Sequence, residues 1–329
     1  MNISLEEIRE PIKANLTEFE DFVRKSLQLD DETLLSQMVD YVLSTRGKGI
    51  RPVIVMLCAA SSSTINSFGK RTYLAALLVE IIHQASLVHD DVIDNSDKRR
   101  GRPSVNALWQ SHNAVLVGDY LLSKLMTIGL QSGQFDLLSH IVGTLTTLCE
   151  GEVLQNDHAS RLDTTRQDYY SIIEKKTASL FATSATAGAL SVKASHDIQN
   201  TMYMFGYNLG MAFQIVDDIL DYETNVNTGK PSMEDVLEKK ITLPLIEIME
   251  RSSEQECERL REIISRCPTE SNAVEQIREI VLHQKGIDYA RETMKVFIQK
   301  ALSSLSQLPK SIYVDSLMKL CQFVAERNN

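Results

Sequence analysis

No proline lies between Pro103 and Pro231. An interval of that length, rich in Leu, Ala, Met and Ile, favours long helices and disfavours a meander of short strands. Periodicity agrees. Leu74, Leu77, Leu78, Ile81, Ala85 and Val88 recur at spacings of three and four, which marks one face of a helix. Similar patterns run through 112–130, 134–156, 168–190, 198–222 and 287–306. The spacing predicts an all-α helical bundle, a single domain over residues 1–329, with short joints and no linker long enough to divide it. A chain of 329 residues is long for a small domain, but an all-helical enzyme of this size can bury one core.

Charge and cysteine usage narrow the function classes. A formal net charge of −10 argues against bulk nucleic-acid binding and against a permanently basic membrane-facing surface. An anionic substrate stays open, because local cations and bound metal can reverse the field within one cleft. The cysteines, Cys58, Cys149, Cys257, Cys267 and Cys321, are odd in number and scattered, without a CxxC pair. Neither a disulfide framework nor a zinc site is signalled. The start "MNISLEEIRE" has no signal-peptide apolar region, and the apolar windows "VIVMLCAA" and "YLAALLVEII" are too short or interrupted to span a bilayer. The expectation is a protein of the reducing cytoplasm.

One acidic pattern occurs twice. "LVHDDVID" ends one apolar helix and "QIVDDILD", at 214–221, ends another. Positions i and i+4 share a helix face about 5.4 Å apart, so Asp90 pairs with Asp94 and Asp217 with Asp221. Asp91 and Asp218 are rotated roughly 100° away, better placed to support than to ligate. A solvated helix end would account for one triplet. Two copies, each followed by cations, instead suggest facing walls of one cavity. Clustered carboxylates repel unless a cation sits among them, and oxygen ligands without a His or Cys set favour Mg²⁺.

Cations gather in the same stretches. "RGKGIRP" at 46–52 holds Lys48 and Arg51, and Arg99 and Arg100 follow the first triplet. Lys175 and Lys176 precede Thr177, and Lys230 lies beyond the second triplet. Singly each reads as a surface charge; collected around magnesium they would trap diphosphates. His83, two turns before Asp90, could donate to a phosphate oxygen, although a lone helical histidine is more often a packing residue. The chain has no GxxxxGK[ST] phosphate loop, no GxGxxG after a strand and no GxSxG elbow. Glu80 and His83 give one ExxH element of a di-iron bundle, but there is no second.

These residues closely resemble the trans-isoprenyl diphosphate synthases, the polyprenyl synthetase family, of the long-chain type. The resemblance runs through "RGKGIRP", "HQASLVHDDVIDNSDKRRG", "GDYLL", "EGEVLQ", "EKKTASLF", "FGYNLGMAFQIVDDILDY", "TGKPSMEDVLEKKITLPLI" and "KGIDYARETMKVFIQKALSSLSQLP". It implies an isoprenoid-synthase-type bundle around a central cavity and head-to-tail condensation of an allylic diphosphate with isopentenyl diphosphate. By similarity, Asp90 and Asp94 would ligate two Mg²⁺ and Asp217 a third, with Asp91, Asp218 and Asp221 supporting. Arg99, Lys176 and Lys230 would hold the allylic diphosphate. Lys48, Arg51, His83 and Arg100 would hold isopentenyl diphosphate, with Lys240 retained in the basic set. Thr177 and Gln214 would lie beside the reacting carbons. The chain departs from the family twice. Arg46-Gly47-Lys48-Gly49 stands where Gly-Gly-Lys-Arg is usual, and Lys239 stands where Gly is frequent. Altered affinity, not lost activity, is expected.

Ser86 sits one turn before Asp90, with Ala85 beside it. Bulky aromatics there would stop a growing hydrocarbon tail. Serine and alanine leave the way open to a floor near Leu78, Ile81 and Ile82, and predict a product on the order of C30 to C50. So apolar a product suits quinone side chains and implies transient membrane contact at release. A homodimer is expected, with apolar residues of 112–130 and 134–156 as its interface; some long-chain relatives need a small partner instead. Three competing readings are a short-chain farnesyl or geranylgeranyl diphosphate synthase, a class I terpene cyclase and a catalytically silent subunit. The cyclase is disfavoured by Lys48, Arg51, Arg100 and the second DDxxD, and the silent subunit by two intact triplets.

Overall fold

The computed structural model describes residues 3–29, 32–45, 47–63, 68–223 and 233–327. In order, its helices are α1 (Leu5–Arg9), α2 (Lys13–Leu27), α3 (Leu34–Ser44), α4 (Ile50–Ser62), α5 (Lys70–Ile93), α6 (Val105–Ser132), α7 (Phe135–Arg161) and α8 (Arg166–Ile173). After them come α9 (Ser179–Ser191), α10 (His196–Tyr222), α11 (Glu234–Leu237), α12 (Leu243–Arg251), α13 (Glu254–Arg266), α14 (Ser271–His283), α15 (Gly286–Leu305) and α16 (Ile312–Ala325). A small hairpin, β1 (Lys98–Arg99) with β2 (Arg102–Pro103), follows α5. The all-α reading of the sequence therefore holds.

α5 and α10, the two helices that end in aspartate triplets, carry the architecture. α5 packs against α4, α6 and α9, and α10 against α9 and α15. Leu74, Leu77, Leu78, Ile81, Ala85 and Val88 are all buried, as their spacing requires. α5 is apolar on most sides because it lies inside the bundle. By length and composition it could cross a membrane, yet 78% of its apolar window is buried in the fold, which is the signature of a core helix. Small residues bring the inner helices close. A Cβ on Gly188 would lie 2.3 Å from the carbonyl oxygen of Val55, so α9 and α4 approach backbone to backbone there.

Helix boundaries differ from the sequence reading where side chains settle them. α6 opens at Val105, ahead of 112, because the Ser104 hydroxyl accepts from the Ala107 amide at 3.0 Å and caps the helix. Its backbone breaks at Gln110, where φ is 69°. The 168–190 pattern is not one regular helix: a π turn, Glu174–Ala178, joins α8 to α9. Such a turn holds one residue more than α-helical bonding needs and often marks a functional site.

Candidate active site

The two triplets lie at the C-terminal ends of α5 and α10. Asp94 caps α5, its amide bonded to the Asp90 carbonyl at 2.8 Å, so Asp90 and Asp94 keep the helical register. Lys240 follows α11; its ammonium lies 3.5 Å from Asp94 and also pairs with Glu238. Burial opposes the charge on Lys240, but Asp94, Glu238 and Asp235 outweigh it and raise its pKa. Lys240 thereby ties the first triplet to the segment that follows the second.

The six aspartates divide into two sets. Asp91, 3% exposed, takes the Arg99 guanidinium, with Nε at 2.8 Å. Asp218, 2% exposed, accepts the Tyr169 hydroxyl at 2.5 Å and the Gln214 amide at 2.8 Å. Asp221 receives the backbone amides of Glu234 at 2.9 Å and Asp235 at 3.1 Å, capping the start of α11. These three are held by hydrogen bonds. Among the described residues Asp94 meets Lys240 in a long contact, and Asp217 meets Arg327 at 2.7 Å. Burial raises the Asp90 pKa to about 6, with Glu152 and Asp94 adding to the effect and Lys176 and Arg99 opposing it. Burial and Asp235 push Asp221 to about 7, and burial drives Asp218 well above the carboxylate range.

The π turn supplies the next group. Lys176 reaches α7, at 2.6 Å from Glu152 and 2.7 Å from the Gln155 side-chain oxygen. The Thr177 hydroxyl reaches α10, donating to Gln214 at 2.6 Å, and Gln214 in turn donates to Asp218. Both ends of the Gln214 amide are therefore fixed. Lys175 turns outward to Glu150 at 2.5 Å. α7 comes this close because Gly151 lacks a side chain; a Cβ there would stand 2.8 Å from the Lys175 Cβ.

A second cationic group forms at the start of α4. Arg51 stacks over Phe181 with 4.9 Å to the ring centroid, and its Nη1 lies 3.0 Å from His83 Nε2. Burial first, then Arg51, Arg100 and Arg99, hold the His83 pKa well below its usual value. Held neutral, His83 accepts from Arg51 through Nε2. Burial brings Arg51 down to about 10, with Arg100 contributing. Arg100 sits in the β1–β2 turn with φ of 55° and reaches back to the Thr45 carbonyl at 3.0 Å. Its guanidinium fills the space where Gly47 has no Cβ. Lys48 is depressed by burial, Arg327 and Arg9, and lies over the Phe323 ring. So many depressed cations together make a field that favours an anion.

Lys230 and Arg46 lie outside the described residues. Ala85 is fully buried in the core, whereas Ser86 is half-buried and bonds the His83 carbonyl at 3.0 Å. The rotation of about 100° per residue separates them, so of the two only Ser86 borders open space. Both departures from the family motif occupy left-handed backbone: Gly49 at φ 54° and Lys239 at φ 61°. Glycine suits such a conformation, and Lys239 holds it with strain.

Sequence reasoning missed Tyr169, Arg327, Arg9 and Glu152. "EGEVLQ" had marked the Glu152 segment without a role, but nothing local distinguishes the other three.

Residues 32–281 match the polyprenyl synthetase family, and the chain belongs to it. It is a prenyltransferase of that class. It is 35% identical over 299 residues to an octaprenyl diphosphate synthase of Haemophilus influenzae, covering 91% of this chain and 90% of that one. It is 31% identical over 330 residues to a short chain isoprenyl diphosphate synthase of Methanothermobacter thermautotrophicus, covering 95% and 100%. Among solved structures, a polyprenyl synthase from Caulobacter crescentus, crystallised with calcium and isoprenyl diphosphate, superposes with a TM-score of 0.91 at 27% identity, covering 100% and 99%. Relatives named for long and for short products differ little in identity, so the length argument rests on side chains.

Proposed function

We propose that the protein condenses isopentenyl diphosphate with an allylic diphosphate to make a long-chain trans-polyprenyl diphosphate, on the order of C30 to C50. The observation that carries this reading is the tie from Asp94 through Lys240 to the segment after the second triplet, with the Arg51–His83 contact and small Ser86 on the same helix as the first. In each round the allylic carbon–oxygen bond breaks and a carbon–carbon bond forms. A proton then leaves to the released pyrophosphate, and the product keeps its own diphosphate.

The donor set fits magnesium. Asp90, Asp94 and Asp217 offer hard carboxylate oxygens, Asp217 also accepting from Arg327. Among the described residues no three acids converge closely enough to enclose an ion. Magnesium keeps several waters and is bound through one or two carboxylates plus substrate phosphates. When bound, it would neutralise charge on the departing diphosphate. Lys176 and Arg99, with Lys230, would grip the allylic diphosphate; Lys48, Arg51 and Arg100 would grip isopentenyl diphosphate. The Thr177 hydroxyl and the Gln214 amide, fixed by their own hydrogen bond, would place their oxygens toward the developing carbocation.

A homodimer is supported by apolar side chains exposed on α6 and α7, among them Leu116, Leu130, Phe135 and Val153. A cytoplasmic site and brief membrane contact at product release complete the reading.

The test is to incubate the purified protein with Mg²⁺, farnesyl diphosphate and labelled isopentenyl diphosphate and to size the extracted chains. Products within the range above are expected. No incorporation overturns the reading for the protein acting alone, and nothing longer than about C20 overturns the length assignment. Ser86→Phe is expected to shorten the product while leaving the first condensation intact; unchanged length would place the tail elsewhere.

A further inference from the structure

We infer that Arg9, on the N-terminal helix, is a binding residue for the diphosphate of isopentenyl diphosphate, supplying the charge that Gly49 does not. This inference rests on the function proposed above.

Arg9 is the last residue of α1, fixed between Ile8 and Ile12, both fully buried. From there its guanidinium Nη2 donates to the backbone carbonyl of Lys48. It therefore lies on the Gly47–Lys48–Gly49 turn, close enough to Lys48 to depress the lysine. With Gly47, Lys48 and Gly49 it lines a cavity of about 290 Å³, near the lower end of the size for a small-molecule site. A side chain at position 49 would find open space there, with nothing within 4 Å of a Cβ. The backbone explains why none is supplied: φ of 54° suits glycine and strains arginine. A guanidinium delivered from α1 brings the charge without that strain.

Two features point to a ligand. Arg9 Nε is buried with no hydrogen-bond partner, an N–H without an acceptor. Neither Arg9 nor Lys48 has an ion-pair partner among the described residues. Two acids also border the cavity. Glu80 acts on Arg51 and Arg100, whose pKa values it raises against burial, and Glu20 has a partner of its own. The Arg9–Lys48 pair is left as the place where an anion gains most. A diphosphate offers several acceptors and suits a guanidinium fork beside an ammonium point charge.

The experiment compares wild type, Arg9→Gln and Arg9→Lys in the full-length enzyme. It measures KM for isopentenyl diphosphate, KM for farnesyl diphosphate, kcat and thermal melting at saturating Mg²⁺. Gln keeps a donor for the Lys48 carbonyl but removes the charge. Arg9→Gln is expected to raise KM for isopentenyl diphosphate about 10- to 100-fold, the size of a lost charge-assisted bond, with KM for farnesyl diphosphate and the melting temperature held. Arg9→Lys is expected to recover most of that loss. Unchanged KM for isopentenyl diphosphate in Arg9→Gln overturns the assignment. So does an equal rise for both substrates with lowered melting, which would make Arg9 a clamp on the turn. Wild type that elongates nothing overturns the proposed function instead, and the two failures are told apart by that control.

Discussion

The two aspartate triplets share a sequence pattern and solve the problem of buried charge in different ways. The first is flanked by charged partners: Arg99 grips Asp91, Lys240 approaches Asp94, and Lys176 acts on Asp90. The second is held at its inner acids by neutral donors, with Tyr169 and Gln214 on Asp218 and two backbone amides on Asp221. Asp217 meets a guanidinium, that of Arg327. Neutral donors orient a carboxylate without cancelling its charge, so the second wall leaves its acids to pick up protons or an external cation. The first wall is balanced by cations that would themselves contact substrate.

The largest effect that would test this contrast separates chemistry from folding. Asp90→Ala should lower kcat by about 10³-fold or more, the scale of losing a preorganised electrostatic group, with the melting curve retained. Tyr169→Phe should instead cost about 1–3 kcal/mol of stability, because it takes one of two donors from a buried carboxyl. If chemical denaturation showed Asp90→Ala the less stable and Tyr169→Phe the less active, the assignment of roles would be reversed.

The pH response is the next largest. The folded pKa values of Asp90, about 6, and Asp221, about 7, exceed the ordinary carboxylate value. The folded protein therefore holds protons that the unfolded chain releases near pH 4, and stability falls as pH rises through 6 to 7. With chelator present, the melting temperature should drop by a few degrees between about pH 5 and pH 8 on account of these groups. Mg²⁺ should recover more of it at the higher pH. A chelated protein that melts higher at pH 8 than at pH 5 would show that these carboxyls do not set the balance.

The smallest effect concerns the Arg327–Asp217 pair on the second wall. The Arg327–Asp217 pair is 29% and 37% exposed on its two sides, the setting in which an ion pair contributes at most about 1 kcal/mol. If Arg327 competes with metal for Asp217, Arg327→Gln should lower the Mg²⁺ concentration for half-maximal thermal stabilisation by up to about fivefold. A requirement that rises would make Arg327 an aid to metal capture.

What could be read from the sequence was what is local. Helical periodicity is a short-range property, so α5 and α10 and the triplets at their ends were legible from spacing. So was the rotation of Asp91 and Asp218 away from their neighbours, and both are buried. The π turn was not, because Lys175, Lys176 and Thr177 keep a helical composition while their bonding shifts by one residue. The role of His83 depended on Arg51, 32 positions away, and only its place on the helix was local. Arg9, Tyr169 and Arg327 reach the site across separations of 39, 49 and 110 residues. No motif of neighbouring residues records such an approach.

The π turn also sets a ratio between two facing helices. Tyr169 and Thr177, eight positions apart, meet Asp218 and Gln214, which are four apart. In uniform α-helices those intervals would advance about 12 Å and about 6 Å. The extra residue and the reach of the tyrosine ring let the two scales engage as on a vernier. Four side chains thus close into one line, Tyr169 to Asp218 to Gln214 to Thr177, although their backbones run at different pitch. The alignment beside the proposed reaction site is in that sense a property of two mismatched rulers.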